Sequence, residues 1–264
     1  MSENKTINTL LNADLLPSVD NAIKNLTDEP TSKAGKTFGD IWDLVFGYIS
    51  FVAEKRRIKY KQALSLYEQE LSEAISKIPD DKRIEPSVQI TAQALENSKY
   101  CIEDEELRQM FTSLICNSMN SDYSEFVHPS FAEIIKQMSV LDAKVINLFK
   151  NKSGSYVRLP VCKYSLYLLN SPSYIDVPDH IFLELPNADF RLCSQSLSSL
   201  SRLGLLEISY SQKLDTPNLY DKFLHHQAYE FAKNNFSFAN IKLIEGVVAA
   251  TPLGRSFIDI CIPD

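Results

Sequence analysis

Pro129-Ser-Phe-Ala-Glu-Ile-Ile-Lys-Gln-Met-Ser-Val-Leu-Asp-Ala143 holds two helix starts in one short stretch. Ser130 has Glu133 three residues on, the spacing of a capping box, and Ser139 has Asp142 at the same distance. Between them Phe131, Ile134, Ile135 and Met138 fall at i, i+3, i+4 and i+7, which draws one apolar stripe on a helix. Upstream, Glu106-Leu107-Arg108 opens a second stripe that runs through Met110, Phe111, Leu114 and Ile115. The two are joined by a loop from Asn120 to Pro129, so the centre of the chain reads as packed helices.

Further toward the N-terminus, no proline interrupts Phe38 to Ile78 and Gly47 is the last glycine, which predicts a long helical stretch through Lys77 that Ile78-Pro79-Asp80-Asp81 ends. Its first part is the most apolar window of the chain, with Trp42 and Phe46 among many, and Lys55, Arg56, Arg57, Lys59 and Lys61 follow at once. Two readings fit. An interfacial helix sets aromatic residues beside a basic cluster in this way, and a core helix with a solvated basic end has the same composition. Asp40 and Asp43 break the run before it reaches the length of a membrane span. Leu64, Tyr67, Leu71, Ala74 and Ile78 continue a narrow seam suited to helix pairing, within the chain or in a dimer. Residues 5–27 read as a small amphipathic helix and 28–37 as a polar joint. Within that joint Gly35-Lys36-Thr37 imitates the end of a phosphate loop, but Pro30 stands where the first glycine belongs and cannot turn an N–H onto phosphate.

Composition narrows the classes. The chain has 264 residues, 44% of them apolar, enough for two packed units. A formal charge of −7 argues against a generic coating of nucleic acid. Cys101, Cys116, Cys162, Cys193 and Cys261 are odd in number and far apart, which points to buried thiols in a reducing cytoplasm rather than to a disulfide framework or a zinc site. The first residues lack a signal-peptide core, so a cytoplasmic location is expected.

After Lys150 the texture changes to Gly154, prolines, tyrosines and short apolar runs, which sets a boundary near 150–156. Leu141 to Phe149 either opens the second unit or bridges into it. Asp189 to Gly204 carries Leu192, Leu197, Leu200 and Leu203 with Gly204 at the C-cap. Leu205 to Tyr210 reads as a strand, Ile241 to Ala250 as a returning strand, and Thr251-Pro252 as the N-cap and first residue of a last helix. This order of helix, Leu-Gly-Leu-Leu, strand, loop, strand and Thr-Pro-Leu-Gly resembles winged-helix domains. A nucleic-acid face would use Arg191, Ser194, Gln195, Ser198 and Arg202. The sparse cations there, with Asp189 among them, favour a winged helix that contacts protein, because readers of DNA lean on several phosphate-neutralising residues.

Catalytic constellations are not visible. His128 precedes a proline and reads as a turn residue; His180 follows Pro178 and Asp179 in another turn; His225 and His226 are neighbours whose side chains diverge. Four acids from Glu103 to Glu106 suit the start of a helix. No enzyme activity, metal, cofactor or small-molecule substrate is inferred.

Pro86, Tyr100, Glu106-Leu107-Arg108, Phe111, Leu114, His128-Pro129-Ser130-Phe131, Ile135-Lys136-Gln137-Met138 and Leu141-Asp142-Ala143 together resemble the Abi-alpha (abortive infection alpha) domain of bacteria, over roughly residues 34–150. The resemblance implies a part in defence against phage and supplies no catalytic residues. The expected architecture is therefore mainly α: an N-terminal helix and hinge (1–37), an Abi-alpha-like helical domain (38–150) and a winged-helix-like α+β domain (151–264). The expected partners are a protein or a second copy of the chain. DNA through Arg191 to Arg202 is the first alternative, and a membrane surface met by Trp42, Phe46, Lys55, Arg56 and Arg57 is the second.

Overall fold

The structure is a computed structural model that describes residues 32–46, 54–150, 156–169, 172–177, 179–236 and 239–263. The expected N-terminal helix at 5–27 lies outside them, as do residues 28–31 of the expected joint and 47–53 of the expected long helix. Packing divides the chain into two units, 1–137 with 260–264, and 138–259.

The first unit is helical. In chain order it contains α1 (Ser32–Phe46), α2 (Glu54–Ser76), α3 (Val88–Ser98), α4 (Glu105–Ser118), a short 3-10 turn (Ser124–Phe126) and α5 (Phe131–Gln137). Residues 32–37, read as part of a polar joint, open α1 instead. Helical spacing explains what each helix buries: Phe38, Ile41, Trp42, Val45 and Phe46 on α1, and Tyr67, Leu71 and Ile75 on α2. The Trp42 ring lies 4.5 Å from Phe46 and 5.8 Å from Tyr67, centroid to centroid. The stripes from the sequence are likewise internal, with Phe111, Leu114, Ile115, Phe131 and Ile135 fully buried.

The second unit is mixed. It runs α6 (Val140–Asn147), β1 (Arg158–Leu168), β2 (Tyr174–Asp176), α7 (Phe190–Arg202), β3 (Leu206–Ser209), α8 (Asp221–Leu224), α9 (Gln227–Asn235), β4 (Ala239–Ala250) and α10 (Pro252–Cys261), whose last residues pack with the first unit. The strands form one antiparallel sheet in the order β2-β1-β4-β3, so the protein is α+β rather than mainly α. The β1–β4 ladder is continuous from Arg158 opposite Ala249 to Leu168 opposite Ala239. One face of β1 buries Cys162 and Tyr164 against Ile181, Tyr220, Phe223 and Ala228.

Capping fixes several boundaries. Ser139 and Asp142 make the capping box their spacing predicts, Asp142 N donating to Ser139 Oγ (3.1 Å) and Ser139 N to Asp142 Oδ2 (2.8 Å). Ser130 and Glu133 do not. The Ser130 hydroxyl pairs with His128 Nδ1 (2.7 Å), and Glu133 takes the Asn97 side-chain amide (2.8 Å). Past α7, Gly204 takes φ +76°, where a side chain would be strained. Thr251 then ties the two ends of the motif together: its hydroxyl donates to Gly204 O (2.5 Å) and accepts from Gly254 N (2.9 Å), while its own N–H donates to Leu205 O (3.0 Å).

Candidate functional site

The site the second unit offers is a cleft of about 310 Å³ on the inner side of β1 and β2. Tyr164 and Leu166 of β1 form its floor, Ile175 and Val177 one wall, and Ala228, Phe231 and Ala232 of α9 the other, with Phe190 and Arg191 at the start of α7. Period-2 alternation puts Tyr164 and Leu166 on one face of the sheet and helical spacing brings Ala228, Phe231 and Ala232 toward them. The small side chains of Ala228 and Ala232 leave the space open. Its mouth is apolar as well, since Ile175 and Phe231 remain 54% and 58% exposed.

A polar chain runs along the opposite face of the same strands. Asp176 accepts from Lys163 Nζ (2.6 Å) and from the Ser165 hydroxyl, and these two contacts hold its carboxyl below the usual range. Lys163 Nζ also sits 5.1 Å from the centre of the Tyr210 ring. The Tyr210 hydroxyl meets His180 Nδ1 at 2.7 Å and the two rings stack. Burial pushes the Tyr210 hydroxyl up and the His180 imidazole down. The His180 main-chain N–H donates to Ser194 Oγ (2.9 Å).

This arrangement sorts the residues read as a nucleic-acid face. Arg191, Gln195, Ser198 and Arg202 are exposed at i, i+4, i+7 and i+11, one outward stripe of α7. Ser194 is not among them, because it is buried and satisfied by His180. Of the membrane set, Trp42 and Phe46 lie in the interior of the first unit. Lys55, Arg56 and Arg57 are in the first turn of α2, and their side chains fall outside the described residues. His128 accepts the Ser130 N–H (3.2 Å) and acts as a turn residue. His226 caps α9, its Nδ1 accepting from Ala228 N (3.2 Å). Among the described residues, no group of three His, Cys, Asp or Glu side chains is placed to hold a metal, and no helix is long and apolar enough to cross a membrane. Of the cleft residues only Arg191 was singled out in the sequence, as part of a nucleic-acid face, and the short alternation in Tyr164-Ser-Leu-Tyr-Leu168 is the signal that could have pointed to the floor.

Two histidines give this unit a pH response with a fixed sign. Burial lowers the pKa of both His180 and His226, so the unfolded chain binds protons more readily there than the folded one. Stability is then full above the ordinary imidazole value of ~6.5 and falls as pH drops below it. A protonated His226 Nδ1 also cannot accept from Ala228 N. Melting curves between neutral pH and about pH 5.5 should show this loss, and His180→Asn with His226→Asn, which keep a hydrogen-bonding group without the titration, should flatten it.

The family profile described as "Abortive infection alpha" matches residues 59–261, well over half of the chain, and the protein belongs to that family. The match takes in the sheet and α7 to α10 as well as the helices that carry the resemblance in the sequence. No curated protein and no solved structure matches the chain.

Proposed function

We propose that this protein acts in abortive infection, the anti-phage defence its family is named for, and that it does so by contact with another protein, as sensor, adaptor or effector, without catalysis of its own. Family membership supports the defence part of the reading. The half-open apolar cleft beside an outer strand supports the contact part, because apolar surface left uncovered at a concave site marks interaction. All five cysteines are free thiols, which fits action in a reducing cytoplasm. The test is to express the full chain in a phage-sensitive bacterium and compare plaque formation and cell survival against the empty vector over a panel of phages. Unchanged plating on every phage, and no change on deletion from the native host, would remove the defence reading.

A second reading has its own observation. The order α7, β3, β4, α10 with its Gly204 and Thr251 junction supports a winged-helix-like unit, although α8 and α9 occupy the stretch between β3 and β4 where a short wing would lie. The outward stripe of Arg191, Gln195, Ser198 and Arg202 is the face such a unit would set against DNA. Anisotropy of labelled duplex DNA should then rise with added protein at low salt and fall back as salt increases. Arg191→Glu with Arg202→Glu should abolish the rise and leave the melting temperature unchanged; no rise at low salt sinks this reading.

A further inference from the structure

β2 is the outer strand of its sheet. Its ladder with β1 shows which main-chain groups are already used: Val177 N–H donates to Tyr164 O (2.9 Å) and Leu168 N–H to Ser173 O (3.2 Å), with Ile175 opposite Leu166 between them. Residues 173, 175 and 177 therefore turn toward β1. The alternation of an antiparallel ladder then turns the N–H and C=O of Tyr174 and Asp176 away from the sheet, where they can pair with another chain. The cleft lies directly beneath this edge, and Ile175 belongs to both.

A strand added to β2 would send every second side chain to the face where Ile175 and Val177 meet the cleft. Charge decides what else the added strand must carry. Of the ionisable residues that border the cleft, Asp176 turns its carboxylate to the opposite face, where Lys163 and Ser165 engage it, and Asp179 acts on His180. Arg191 lies over the Phe190 ring, 5.5 Å from its centre, and has no carboxylate partner among the described residues. Its guanidinium is the charge left for an occupant to answer.

We propose that the β2 edge and its cleft dock an extended segment of another protein, added as a further strand, with a bulky apolar side chain in the cleft and a carboxylate facing Arg191. The proposal rests on the reading of this protein as one that acts by contact, and adds to it the surface and the chemistry of the partner segment. Such a mode draws affinity from main-chain pairing and specificity from the alternate side chains.

The experiment is selection of a displayed random-peptide library on the full-length protein, followed by titration of the synthetic consensus peptide. A consensus with apolar residues at alternate positions and a nearby acid is expected. Phe231→Asp should weaken that peptide by about tenfold or more. Tyr174→Pro, which removes an outward N–H, should weaken it while Tyr174→Ala does not, and Arg191→Glu should exchange the preference for acid with one for base. No enrichment over a heat-denatured control, or a peptide bound equally by Phe231→Asp, overturns the proposal. Should a variant fail to fold, hydrogen exchange on the wild-type protein decides instead: the peptide must protect the amides of Tyr174 and Asp176, and unchanged exchange there counts against it. Plating assays separate this from the broader reading. Protection by the wild-type chain that Phe231→Asp retains in full would leave defence standing and this surface without a part in it, whereas absence of any protection leaves the peptide result to stand by itself.

Discussion

Gly254→Ala should lower the stability of the second unit by roughly 3 kcal/mol or more, a loss at the upper end of what overpacking costs. A Cβ built at position 254 would lie 2.0 Å from Leu205 O and 2.8 Å from Leu205 C. Both atoms are main chain, so no side chain can swing aside, and the first turn of α10 would have to lift off the β3 approach. That movement strains more than one contact. Gly254 N donates to Thr251 Oγ1, whose hydroxyl in turn donates to Gly204 O, and Thr251 N donates to Leu205 O. Lifting the helix stretches this cap and the hydrogen bonds that close α7 onto it. A thermal melt should show the transition of this unit lowered by roughly 6 °C or more. Thr251→Ala should cost less, about 1–2 kcal/mol, since it removes the cap without forcing the backbone apart. A melt of Gly254→Ala within 2 °C of the wild type, an interval on the order of 1 kcal/mol or less, would mean that the close approach of α10 to Leu205 is not as described.

The same junction shows which parts of the fold a reader of the sequence can reach. Gly204, Thr251 and Pro252 announce their roles through local rules of capping and backbone conformation, and Ser139 with Asp142 does so too. Those signals depend on neighbours in the chain. β1 escaped because Pro160 stands inside it and because most of its middle is buried on both faces, which leaves only a short alternation toward its end. Ser194 was placed on the outer face of α7 by its polarity, but a main-chain N–H fourteen residues back needs its hydroxyl and draws it inward. Trp42 and Phe46 had a composition open to a core as well as to a membrane surface, and in the structure both are buried with their rings beside Tyr67. The cleft was the least legible. Its walls come from β2, α7 and α9, which meet only once β4 has returned to pair with β1.

Arg108→Met should be the most damaging single change in the first unit, costing about 3–5 kcal/mol. Arg108 is 5% exposed, and each of its three guanidinium nitrogens donates a hydrogen bond. Nε donates to Glu70 Oε2 (2.9 Å), one terminal nitrogen to Glu70 Oε1 (3.0 Å) and the other to Ile102 O (2.8 Å). The fork therefore joins α2, the turn before α4 and α4 itself at one point. Methionine fills much of the volume, so the loss reports on the charge left behind at Glu70 rather than on a cavity. The double change Arg108→Met with Glu70→Leu should recover most of it, since neither charge then remains to be compensated. Recovery should stop short by about 1–2 kcal/mol, the cost of the Ile102 carbonyl left without its donor. Denaturant melts of the two single variants and the double would measure the coupling directly. Additive losses would show that the pair is not a unit. A double variant close to the wild type, with both singles poor, would make the arginine of Glu106-Leu107-Arg108 a fastener of the helical unit, and would move the search for defence-specific residues to the strand edge, the cleft and α7.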